Sequence, residues 1–248
     1  MAEQIPSCSG YCRKCGQEHT IAEGPARDYC LELMEVLEEK KRIDLTVPDA
    51  EANPHFSTDY LFGEARGQMF GILACRNQKG SKVNLKAFSG QFDGAWVVEG
   101  WAPPLFDVRQ WHRISHDVEK EIKTLGKEID RPDTDPARRA NIVLQRRELS
   151  QQLMKDIHAL YTLTNFHGES RPLKDVFIGQ NGIPTGTGDC CAPKLFNHAA
   201  RSGLIPLGLA EFYWGRENKS SSRLHRRFYP SCAGKCQPIL GFLLCGLE

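Results

Sequence analysis

Ten cysteines in a 248-residue chain, seven of them gathered at positions 8, 12, 15, 190, 191, 232 and 236, constrain this fold more than any other feature. Grouped cysteines serve either disulfides, which need an oxidising compartment, or metal ligation, which does not. The opening Met1-Ala2-Glu3-Gln4-Ile5-Pro6-Ser7-Cys8 lacks the apolar run of a signal peptide. No stretch approaches the roughly 20 apolar residues of a membrane helix. The expectation is therefore a soluble, cytoplasmic protein whose grouped thiols bind zinc at two sites. Cys30, Cys75 and Cys245 lie among apolar neighbours and read as core thiols. The formal net charge of +1 excludes bulk attraction to nucleic acid or membrane, so a charged partner needs a local patch.

The first group is Cys8-x3-Cys12-x2-Cys15-Gly16-x2-His19, in a segment, residues 1–24, poor in apolar side chains. A Cys-x2-Cys-Gly turn lets two thiolates grip one ion while backbone amides point at the sulfurs, and the glycine permits the tight turn. Cys8 and His19 complete four ligands, giving an N-terminal zinc knob. The Cys-x3-Cys-x2-Cys spacing is also that of radical-SAM iron–sulfur sites. Lys14, however, stands where that motif favours an aromatic residue, and the rest of the chain lacks their repeating strand–helix units.

Residues 25–248 read as one α/β domain. Pro25 opens a helix whose stripe is Leu31, Leu33, Met34, Val36 and Leu37. Residues 67–75 and 82–89 read as strands joined by the turn Asn77-Gln78-Lys79-Gly80, and residues 94–101 as a third strand. At about 107–162, Ile114, Val118, Ile122, Leu125 and Ile129, then Ile142, Leu149, Leu153, Ile157 and Leu160, predict an inserted helical hairpin. The last third predicts a helix over 191–201, a strand over 207–214 and a final helix over 232–244. The architecture expected is a small mixed sheet flanked by helices.

The second group is Cys190 or Cys191 with Cys232-x3-Cys236. The first pair opens a helix, where the dipole and free amides favour thiolate. Cys232 and Cys236 are one helical turn apart and share a face. The order is hairpin strands, a helix with a ligand at its start, a strand, then a helix with two cysteines at its start. It resembles the core of zinc-dependent nucleoside and nucleotide deaminases, in which three protein ligands leave a fourth position for the attacking water. Deaminases carry a shuttle glutamate two residues after the first ligand; here that position is Ala192 or Pro193. Asp189 or Glu211 is the candidate replacement. Alternatively, all four cysteines close a structural zinc site.

Arg216, Lys219, Arg223, Arg226 and Arg227, with His225, crowd a segment that only Glu217 opposes, and Phe212, Tyr213, Trp214, Phe228 and Tyr229 flank it. Cations beside aromatics can hold phosphates while bases stack, which marks an RNA-binding candidate.

Several segments together resemble the N-terminal accessory region of long RluA-type RNA pseudouridine synthases. They include residues 67–73 (GQMFGIL), 87–91 (AFSGQ), 103–107 (PPLFD), 188–195 (GDCCAPKL), 210–215 (AEFYWG) and 228–240 (FYPSCAGKCQPIL). The resemblance spans about 60–248 and implies an RNA-modification context, with Cys190, Cys232 and Cys236 as functional core. It implies no pseudouridine synthase activity for this chain alone, because that chemistry belongs to a following domain with a His-Arg-Leu-Asp motif. Three readings follow: a stand-alone RNA-binding zinc module partnering RNA or an RNA-modifying enzyme such as a pseudouridine synthase, a deaminase-type zinc hydrolase, and a scaffold with two structural zincs.

Overall fold

The computed structural model describes residues 7–180 and 182–247. Its elements begin with a hairpin of β1 (Cys8–Cys12) and β2 (Gln17–Ile21), then α1 (Ala26–Lys40), β3 (Gln68–Arg76) and β4 (Lys82–Phe88). Two long helices follow, α2 (Val108–Ile129) and α3 (Pro136–Ala159), then β5 (Thr162–Thr164), β6 (Ser170–Pro172) and the single turn α4 (Leu173–Val176). The chain closes with α5 (Cys191–Arg201), β7 (Ile205–Trp214) and α6 (Gln237–Leu244). The α/β class, the flanking helices and the helical hairpin are as expected. Every strand pairing among the described residues is antiparallel, and the central sheet has the order β4-β3-β7.

Two cores lie on opposite faces of that sheet. In β3, Phe70, Ile72 and Ala74 point toward Leu33, Met34 and Leu37 of α1, and Leu73 and Cys75 point toward Leu195 of α5 and Leu240 of α6. Side chains alternate along a strand, so a strand covered on both faces must be apolar throughout. This explains the unbroken run from Phe70 to Cys75. The same parity puts Glu211 of β7 on the α5 side, opposite Gly71. A Cβ at Gly71 would come within 3.0 Å of the Cys191 Cβ and 3.1 Å of the Glu211 Cγ. Glycine there lets the start of α5 approach the sheet.

The helical hairpin is built from capping residues outward. Asp107 accepts from the amides of Arg109 and Gln110, and Asp135 accepts from that of Arg138, with Pro136 in the first turn. Leu125, Ile142, Leu153 and Ile157 are buried, while the charge runs face solvent.

Two expected elements differ. Residues 94–101 do not form a strand: Gly94 and Gly100 have φ of 82° and 80°, and the only ladder contact there is the bridge Phe92–Ala95. Trp101 is anchored instead, its indole N–H donating to the Ile43 carbonyl at 2.7 Å. The last helix starts at Gln237 rather than Cys232, because residues 232–236 form a turn around their own sulfurs.

The N-terminal segment, of which residues 1–6 lie outside the described residues, is a β-hairpin seated on α6. A Cβ at Gly10 would meet the Gly241 nitrogen at 2.3 Å, and one at Gly241 would meet the Tyr11 carbonyl at 2.1 Å. Backbone lies directly on backbone. Gly241→Ala should therefore lower stability by about 1–3 kcal/mol, the usual range for overpacking. A denaturant midpoint equal to that of the wild type would contradict this seating.

Candidate metal centres

The first centre takes three ligands from the hairpin and one from the end of the chain's last helix. Cys12 ends β1, Cys15 lies in the turn, His19 lies on β2, and Cys245 follows α6; their ligand atoms all lie within 4.8 Å of one another. The Cys15 Sγ is 3.1 Å from the His19 Nε2. Burial opposes ionisation of Cys12, yet the backbone N–H groups of Cys15 and Lys14, and the thiols of Cys15 and Cys245, hold it below the ordinary thiol value. Amides aimed at a sulfur are what a metal-gripping turn supplies.

Cys8 is not part of this centre. It was expected to complete four ligands with Cys12, Cys15 and His19, but Cys8 and Cys12 sit on one extended strand, paired with Ile21 and Gln17. Four residues of strand separate them by about 13 Å, whereas two sulfurs on one tetrahedral zinc sit roughly 3.8 Å apart. Cys8 is instead buried, and its thiol lies within hydrogen-bonding reach of the Ser231 hydroxyl. The fourth candidate ligand is Cys245, which its apolar neighbours disguised as a core thiol. The sequence did carry a signal: Cys245-Gly246 repeats Cys15-Gly16, and both glycines have positive φ, 94° and 73°.

The second centre joins Cys190, Cys232 and Cys236, again within 4.8 Å of one another, with no fourth Cys, His, Asp or Glu atom meeting that spacing among the described residues. Cys190 is the N-cap of α5 and Cys236 that of α6. The Cys232 and Cys236 sulfurs are 3.4 Å apart. Sulfur–sulfur contacts with Cys190 and Cys236, helped by the backbone amides of Cys236 and Lys235, pull Cys232 far below the ordinary thiol value. Contact with Cys232, then burial, pushes Cys190 up, and contacts with Cys190 and Cys232, then burial, push Cys236 up. Cys190 and Cys232 are partly exposed and Cys236 is fully buried. Cys191 stands apart: its thiol is buried, held protonated chiefly by that burial, and it donates to the Met69 carbonyl at 3.4 Å. Of the adjacent pair, Cys190 faces the other sulfurs.

Two carboxyl groups lie beside this centre. Glu211 is 5 % exposed. Its Oε1 accepts from the Ala192 amide at 2.8 Å and its Oε2 from the Ser231 hydroxyl at 3.2 Å. Burial raises its carboxyl to about 7, against the lowering effect of those two donors. Asp189 accepts from the Tyr161 hydroxyl at 2.6 Å and is also raised by burial. Lys194, buried and lowered to about 8 by that burial, donates to the carbonyls of Phe88 and Gly90, and the Gly90 amide donates to the Asp189 carbonyl. Sequence pattern gave no hint of Ser231, Tyr161 or Lys194, since single hydrogen-bonding side chains leave no periodic trace.

The basic segment is tied down along β7. The Tyr213 amide donates to the Arg227 carbonyl, the Arg226 amide to the Tyr213 carbonyl, and the Tyr229 amide to the Glu211 carbonyl. Arg226 pairs with Glu35 of α1, and the Arg223 guanidinium lies 4.1 Å from the Tyr229 ring centroid. Arg216, Lys219 and Arg227 are exposed. No helix is long and apolar enough to cross a membrane among the described residues. Comparison of the chain with protein-family models, curated proteins and solved structures gave no match.

Proposed function

We propose that this chain is a two-zinc protein whose first zinc is structural and whose second is a hydrolytic centre of deaminase type, acting on a base or nucleotide in an RNA-modification context. One observation carries the reading: the first centre offers four ligands and the second only three, beside a buried carboxyl group. Thiolate-rich donor sets select zinc over hard cations, and a closed tetrahedral set is structural where an open one is reactive. A zinc ion bound there would supply a water acidified toward neutral pH.

The chain's own residues supply the rest. Deaminases carry their shuttle glutamate at the position occupied here by Ala192. In this chain the Glu211 carboxyl, reaching over from β7, is hydrogen-bonded to the backbone of that same residue. Glu211 is therefore the proton carrier of the proposal, taking a proton from the attacking water and delivering it to the leaving amine. Asp189, largely buried, accepts from the Tyr161 hydroxyl and feels the charge of Lys235, and is the second candidate for moving a proton. The order of elements around these residues also supports a deaminase-type core. The direct test is ammonia release from a panel of nucleosides, nucleotides and short RNAs by protein carrying both zincs. Release abolished by chelation supports the proposal, and no release from the whole panel would reject it.

A second reading, a stand-alone RNA-binding module serving a pseudouridine synthase or another RNA-modifying enzyme, is favoured by the position of the basic segment. Arg223 stacks on Tyr229, whose amide is bonded to the Glu211 backbone, so the segment carrying Arg216, Lys219, Arg223, Arg226 and Arg227 is tied at Arg223 to the strand that bears Glu211. Changing Arg223, Arg226 and Arg227 together to alanine should weaken RNA binding at least about tenfold and flatten its salt dependence. Filter binding at two salt concentrations measures both, and RNA affinity unaffected by the triple change would exclude this surface.

A further inference from the structure

Helix α6 is held at both ends by candidate ligands. Cys232 and Cys236 precede it, and Cys245 follows it directly. Eight residues of helix span only about 12 Å, and every residue from Ile239 to Leu244 is buried. The helix is a short, rigid strut between the two centres.

The N-terminal hairpin reaches the second centre by two more routes. β1 lies on α6 through the glycine-to-glycine approach at Gly10 and Gly241. Its first residues also clamp the loop that carries Cys232. The Ser231 amide donates to the Ser7 carbonyl at 3.0 Å, and the Ser231 hydroxyl sits between the Cys8 thiol and Glu211. Ser231 is the residue immediately before Cys232. Emptying the first centre would free the hairpin from Cys245, and with it the clamp on Ser231 and the seat of α6.

We infer that the two metal centres fill and empty as one unit, the first acting as the lock that positions Cys232, Cys236 and Glu211 of the second. Ser231 is the positioning residue through which the hairpin acts on the ligand loop. This inference rests on metal binding at both centres, but not on the hydrolytic reading of the second. Linkage makes the coupling reciprocal: whatever the first ion adds to affinity for the second, the second adds to affinity for the first.

The test titrates metal-stripped protein with cobalt(II), following the thiolate-to-cobalt charge-transfer bands. In His19→Ala, which spares all three ligands of the second centre, cobalt affinity at that centre should fall by about tenfold or more. Cys232→Ser should weaken the first centre in the same way. Ser231→Ala, which keeps every ligand, should weaken the second centre and shrink the effect that filling one centre has on the other. Second-centre affinity within about twofold of wild type in His19→Ala overturns the inference. Should that variant fail to fold, the wild-type chain decides by alkylation mapped during a chelator titration. Cys15 and Cys232 becoming reactive over one range of chelator supports the coupling, and clearly separate ranges overturn it. Ammonia release is read separately, so coupled metals without activity would reject only the hydrolytic reading.

Discussion

Cys245→Ser should lose the first zinc at ordinary zinc concentrations and destabilise the chain by about 4 kcal/mol or more, the scale on which losing a structural metal acts. The effect is large because the ion joins two distant stretches of chain. Three ligands lie in the first 19 residues and the fourth in the last four of 248. Without it, the hairpin keeps its seat on α6, the Ser7–Ser231 backbone bond and the Lys14–Glu169 ion pair, and at the α6 seat the glycine approach leaves no side chain between the backbones. Cys8→Ser should behave differently. It removes a buried thiol beside Ser231 but no ligand of the first centre, so zinc at that centre should stay bound. Elemental analysis of the two variants, with thermal unfolding, separates these outcomes. Loss of the first zinc in Cys8→Ser with retention in Cys245→Ser would restore the ligand set expected from sequence.

Glu211→Gln carries the second large effect. Glutamine matches the carboxyl in shape, and its carbonyl can still accept from the Ala192 amide, so the start of α5 and both metals should be preserved. It cannot carry a proton. Ammonia release at saturating substrate should fall by roughly 10²–10⁴, the usual worth of a positioned acid–base group. Asp189→Asn should cost less, because Asp189 is bound to the Tyr161 hydroxyl and does not sit at the Ala192 position. If Asp189→Asn abolished turnover while Glu211→Gln left it intact, the roles would be reversed. Glu211→Ala is the less informative variant, since it leaves the buried Ala192 amide without an acceptor and so adds a folding defect.

Much of this arrangement was legible in residue order. Helical spacing between Ile114 and Leu160 marked the long hairpin because its two helices carry their own caps and apolar stripes. The apolar run from Met69 to Cys75 marked a strand, and the structure covers it on both faces. Gly94–Trp101 misled, since its strand-favouring tryptophans and valines are held by separate anchors, such as the Trp101 bond to Ile43, rather than by a ladder. The metal ligands show the same division. Cys232 and Cys236 were legible as a pair because a four-residue spacing brings their sulfurs together, here in a turn rather than the expected helix, whereas the choice between Cys190 and Cys191 was open until the fold turned Cys191 into the core. The exchange of Cys8 for Cys245 was not, because it depends on whether residues 8–12 are extended and on which distant element packs against them. Glu211 entered only as one of two candidates, since what sets it beside Ala192 is the register of β7 against β3 and the missing side chain of Gly71.

The most direct measurement is zinc K-edge X-ray absorption on the protein as purified, with total zinc quantified on the same sample. Two zincs per chain are predicted, each with three sulfur neighbours, one completed by a histidine nitrogen and the other by a light oxygen scatterer from water. Changing His19 to alanine should remove the imidazole signal, so that whatever zinc stays bound has only sulfur and oxygen neighbours. A single zinc, or a second zinc bound by four protein ligands, would contradict an open centre and with it the proposed hydrolytic function.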